Sequence, residues 1–222
     1  MKSKVSNPKL SIFDTFKTKP DQLTGEATRQ RGIFFQLASE SDPAMKTRTA
    51  ITRKLAEKSG IRWKNLYSGV FRDLDEILVP LGLVEEAGRL PLKRGPKALQ
   101  EKGVPHFKLT QSGMLVTASL DEIQDRRKIT NQFIETNVKD DDLKEALSIL
   151  QDVAPKFLLY IFKKYVEAHC NRKIDDLIPL DIPSLKKVMD ESLTIQLEFL
   201  EGFSRTSKIE RQKIVNFIKN IS

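Results

Sequence analysis

A chain of 222 residues, 39% hydrophobic and 31% charged, holds enough material for one large or two small folded domains, and two are expected. The net charge of +8 is unevenly spread: residues 1 to 120 carry 21 Lys and Arg against 12 Asp and Glu, or +9, and the rest carry 17 against 18, or −1. That asymmetry attaches a polyanion, nucleic acid or else a membrane surface, to the first half. The lone Cys170 excludes an intramolecular disulfide framework, and no run of about 20 apolar residues exists to span a bilayer.

Residues 1–23 contain five lysines and two prolines and read as a flexible basic arm. Its apolar set, LSIFDTF, could dock as a helical turn on the body or on a partner, and the lysines could follow DNA phosphates. From Thr24 a helix opens at Gly25-Glu26, faces Ile33, Phe34, Leu37 and Ala38 inward, and stops at Ser41-Asp42-Pro43. A second helix, from about Thr47 to Lys58, buries Ala50, Ile51 and Leu55 and turns Arg48, Thr52 and Arg53 outward. Gly60 supplies the positive φ that commonly ends a helix.

A third helix spans about 62–79. Trp63, Leu66, Val70, Leu74, Ile77, Leu78 and Leu81 recur at spacings of three and four, the period of one buried stripe. The polar face changes sign along its length, with Arg62, Lys64, Asn65, Ser68 and Arg72 first and Asp73, Asp75 and Glu76 after. The helix dipole favours the reverse order by about 0.3–1 kcal/mol per charge. A phosphate-facing first half would explain the inversion, and an ordinary solvated face is the alternative. Trp63 falls within the stripe by angle, but in the first turn its ring could also meet a sugar. Tyr67 sits at the stripe's edge.

Leu83-Val84 and His106 to Leu109 read as paired strands around a long basic loop at 88–105, with Arg89, Lys93, Arg94, Lys97 and Lys102 opposed by Glu101. Thr110 can cap the following helix, which is expected to run through Leu115 and Leu120 towards Phe133. Three helices, LGLVEEAG, a basic hairpin and FKLTQSG together resemble a winged helix-turn-helix domain of the bacterial and archaeal transcriptional-regulator kind, over about residues 24–120. The resemblance implies a recognition helix in the major groove and a wing on the backbone or minor groove. It assigns DNA contact to Arg48, Arg53, Arg62, Lys64, Asn65, Tyr67, Ser68, Arg72, Arg89, Lys93, Arg94, Lys97 and Lys102.

Asp140-Asp141-Asp142 starts a helix in agreement with its dipole. Phe157 to Val166 is apolar on nearly every side, which places it in the centre of a bundle or at an interface. After Pro179 and Pro183, amphipathic helices run through Leu185, Val188, Met189, Leu193, Leu197 and Leu200, and through Ile214, Phe217, Ile218 and Ile221. The expected architecture is thus mainly α: arm 1–23, winged helix 24–120, and an all-helical domain 121–222 for dimerisation, sensing or partner binding. No residues assemble a catalytic, metal or cofactor constellation. The expected function is sequence-selective binding of double-stranded DNA by a cytoplasmic, nucleoid-associated homodimer, in transcription regulation. A protein-interaction module and a plasmid-type replication initiator are the alternatives.

Overall fold

The computed structural model describes residues 8–60, 62–91, 103–121 and 125–221, and the chain is mainly helical. A small hairpin, β1 (Thr15–Phe16) and β2 (Lys19–Leu23), precedes α1 (Gly25–Ser39). A 3₁₀ turn at Pro43–Lys46 leads to α2 (Arg48–Ser59) and α3 (Trp63–Arg72). Beyond Arg72 the helix widens into π turns over Asp73–Leu78. Strands β3 (Val84–Leu90) and β4 (Val104–Leu109) pair antiparallel. Then follow α4 (Gln111–Ala118), α5 (Arg126–Asn137), α6 (Asp141–Val153), α7 (Pro155–Cys170), α8 (Ile182–Val188), α9 (Glu191–Arg205) and α10 (Lys208–Ile221).

Short polar side chains fix the helix starts. Thr24, Thr47, Thr110 and Asp140 each accept a hydrogen bond from a backbone N–H three residues on, satisfying one of the donors a helix leaves unpaired. Gly60 closes α2 in the left-handed region at φ 67°. The Thr110 hydroxyl also donates to the Gly82 carbonyl at 2.6 Å, and the Thr110 N–H to that of Leu83. The junction after α3 is thereby stitched to the start of α4. Gly113 lies against this stitch, where a Cβ would sit 2.0 Å from the Leu83 carbonyl oxygen.

Three expectations need correction. The arm is anchored from residue 8 on: Leu10 and Ile12 are buried, the Ser11 N–H donates to Gln30, and Arg31 donates to the Ile12 carbonyl. Its apolar residues have a core to enter. Second, the helix after Thr110 stops at Ala118, where Thr117 and Ser119 turn their hydroxyls back onto the carbonyls of Gly113 and Val116. Third, residue 120 is no break in packing. One hydrophobic core joins Phe34 and Leu74 to Leu115, Val116 and Leu120 and onward to Phe133, Phe162 and Tyr165. Phe133 of α5 meets Phe162 of α7 edge to face at 5.8 Å.

Helix α7 is central, as its apolar circumference implies: Leu158, Ile161, Phe162, Tyr165 and Val166 are all buried under this chain's own elements. Burial pushes the thiol of Cys170, at its end, up to about 12. A soluble aromatic disulfide at pH 8 is therefore expected to leave the native protein unlabelled and to titrate one thiol after denaturation. Rapid labelling of the native chain would show that this end of α7 opens.

Candidate nucleic-acid interface

The sign change along the third helix has a structural origin. Asp73 is fully buried, and Arg29 of α1 donates to it through Nε at 2.5 Å and Nη2 at 3.1 Å. Asp75 takes a two-pronged bond from Arg48 of α2, whose guanidinium also lies 4.7 Å from the ring centres of both Phe71 and Phe107. Arg72 reaches Glu26 of α1 at 3.1 Å. The carboxylates thus face the body of the protein, where they dock the helix. Gly69 leaves the room this needs, because a Cβ there would lie 2.8 Å from the Arg29 Nε.

The residues assigned to DNA consequently divide. Arg48, Arg72 and Arg89 are engaged within the chain, Arg89 with Glu86 at 2.7 Å. Arg53, Arg62, Lys64, Asn65 and Ser68 are exposed, and none has a side-chain hydrogen bond or ion pair among the described residues. Lys93, Arg94, Lys97 and Lys102 lie outside the described residues. By helical angle Lys64, Asn65, Ser68 and Arg72 share the outward arc of α3, opposite Leu66, Val70 and Leu74. Arg62 occupies the N-cap position of α3 and makes no side-chain capping bond.

No protein-family model, curated protein or solved structure matches this chain at a significant level.

Trp63 departs from its expected place in the core. It is 38% exposed and packs tilted against Tyr67 with ring centres 4.9 Å apart, and Tyr67 contacts Phe71 at 5.7 Å. The first turn of α3 precedes the point where the helix meets the body, so the angle that buries Val70 and Leu74 leaves Trp63 at the rim. Trp63, Tyr67 and Phe71 form an aromatic ridge along one side of the outward arc. Sequence reasoning missed Phe71, and it missed Arg29 and Asp73. Asp73 carried a readable signal, since it stands seven residues after Leu66 and three after Val70, on the edge of the apolar stripe.

The start of α2 is tied to the hairpin by an antiparallel bridge between Thr47 and His106. Strand β3 bulges between Glu86 and Gly88, which adds local twist to the hairpin stem. An open cleft of about 830 Å³ is lined by the β1–β2 hairpin, α1 and α2 through Phe16, Leu23, Phe35, Leu55, Lys54 and Arg29. No helix of the described residues is long and apolar enough to cross a membrane.

Proposed function

We propose that this protein binds double-stranded DNA through a winged helix-turn-helix arrangement, with α3 in the major groove and the β3–β4 hairpin against the backbone or minor groove, as a transcriptional regulator. The observation that carries the reading is the division of charge on α3. Asp73 and Asp75 are consumed by Arg29 and Arg48 and Glu76 stays exposed, while Arg62, Lys64, Asn65 and Ser68 stand exposed at its start. Two cations at a helix N-terminus without a capping side chain oppose the dipole, and a phosphate placed there would relieve both. Asn65 and Ser68, one turn further in, are short enough to read base edges once the cations hold the backbone.

Asn65→Ala is expected to lose about 1–3 kcal/mol on a selected site and far less on random duplex. Lys64→Ala weakens both alike and flattens the salt dependence by about one phosphate contact. Sites are first selected from random duplexes by the pure protein, and titrations at several salt concentrations then supply the numbers. Equal losses on both duplexes for Asn65→Ala would remove base reading from this face, and an affinity indifferent to salt would remove the DNA itself.

One observation favours a second reading. The exposed ridge of Trp63 and Phe71 offers apolar area as well as charge, a combination suited to an acidic protein partner. Under that reading Trp63→Ala abolishes capture of the partner, while random duplex and heparin displace it only in part because the apolar contact persists.

A further inference from the structure

Helices α9 and α10 stand apart from the rest of the chain. Neither contains a buried residue. Their attachment to the body is polar: Asp190, the N-cap of α9, accepts from Lys164 at 3.0 Å and Tyr160 at 3.2 Å. The Ser192 hydroxyl, then Lys164, hold the Asp190 carboxyl well below the usual range. Within the chain the two helices meet at their junction, where Arg211 lies 5.7 Å from the Phe203 ring centre and donates to the Ser204 carbonyl.

Both helices are nevertheless amphipathic. Leu193, Leu197 and Leu200 share one arc of α9, Ile195 and Phe199 lie on a second arc of it, and Ile214, Phe217 and Ile221 share one arc of α10. Ile195, Leu197, Phe199, Leu200, Phe217 and Ile221 are 45% to 69% exposed. Helices of 15 and 14 residues without a packed face are marginal in water. Half-exposed side chains of this size leave roughly 100 Å² each. Leu197, Leu200, Phe217 and Ile221, on the facing arcs, together leave roughly 400 Å² per copy, the scale of a small, reversible interface and of the patches that mark interaction sites.

The charges say what covers it. Helix α9 carries Glu191, Glu198 and Glu201 against Arg205, and α10 carries Lys208, Arg211, Lys213 and Lys219 against Glu210. Acidic α9 is repelled by an anionic lipid surface, whereas its complement, an apolar stripe flanked by cations, exists in the same sequence. A two-fold axis brings each α9 onto the other copy's α10, so both contacts form at once. Gln196, inside the α9 stripe, has an Oε1 without a hydrogen-bond partner among the described residues. A single polar residue in such a seam fixes its register.

We propose that α9 and α10 are the surface on which a second copy of this chain docks, acidic α9 against basic α10 in a reciprocal pair. This goes beyond the DNA-binding reading and does not depend on it. Among the C-terminal helices expected to dimerise it singles out the two that are uncovered, since the apolar circumference of α7 is consumed inside the monomer.

Sedimentation equilibrium of the full chain without DNA tests it. The native chain should be a dimer at tens of micromolar, and Leu200→Glu with Phe217→Glu should be a monomer with unchanged thermal unfolding of the body. The chain carrying Glu198→Lys and Glu201→Lys, and separately the chain carrying Lys213→Glu and Lys219→Glu, should each self-associate about tenfold or more weakly, and mixing them should restore a heterodimer. A monomeric native chain overturns the proposal, as does a dimer that survives Leu200→Glu with Phe217→Glu. A mixture that stays monomeric overturns the reciprocal pairing.

Discussion

Asp73→Ala lowers the stability of the protein by about 3–5 kcal/mol, the loss expected when one member of a buried ion pair is removed and the other is left without a counter-charge. Asp73 is wholly covered, and the Arg29 guanidinium packed on Gly69 has little freedom to turn to solvent. In a chain of this length such a loss lowers Tm by roughly ten degrees or more. Arg29→Ala should cost a similar amount, and a double-mutant cycle should show strong coupling, since the second removal also deletes the orphan charge left by the first. Replacing both with apolar residues of similar volume should recover much of the stability. A loss below about 1 kcal/mol for Asp73→Ala, measured by denaturant titration, would mean that water reaches this pair.

Gly113→Ala is the second large effect. A methyl group at this position meets the Leu83 carbonyl oxygen at 2.0 Å, and the obstacle is backbone with no rotamer to escape into. That carbonyl accepts the Thr110 N–H at 3.2 Å, while the Thr110 hydroxyl caps α4 through the N–H of Gly113 itself. Separating the two segments therefore strains both hydrogen bonds by which Thr110 holds Gly82 and Leu83. Overpacking of this kind costs about 1–3 kcal/mol in adaptable surroundings and more in rigid ones; about 3 kcal/mol or more is expected here, against near-neutrality for Gly202→Ala, where a Cβ meets nothing within 4 Å. Thermal unfolding of the two variants side by side makes the comparison, and equal shifts would show that the junction yields.

Local chemistry was the legible part of this fold. Thr110, Asp140 and Gly60 act within four residues of themselves, and each stands at a helix end as read. The stripe Val70, Leu74, Ile77 and Leu78 was legible for the same reason, because periodicity needs no knowledge of what packs against it. Charges whose partners lie far off in sequence were not. Asp73 answers to Arg29 across 44 positions and Asp75 to Arg48 across 27, so carboxylates that looked like a solvated face turned out to dock the helix. For Phe157 to Val166 the sequence left two places open, the centre of a bundle or an interface: α7 is enclosed, and α9 and α10 carry the uncovered residues. Composition counts such residues, but only topology says which are already covered.

The clasp formed by residues 8–14 bears on the order in which this protein can be made. Phe13 is held between the Arg31 guanidinium of α1 and the Lys163 ammonium of α7, each 5.7 Å from its ring centre. One of its two holders follows it 150 positions later, the difference between 163 and 13. At about 5–20 residues per second that interval is roughly ten to thirty seconds. Through it the nascent basic half has α1, α2 and α3 but lacks the helix that completes their shared core.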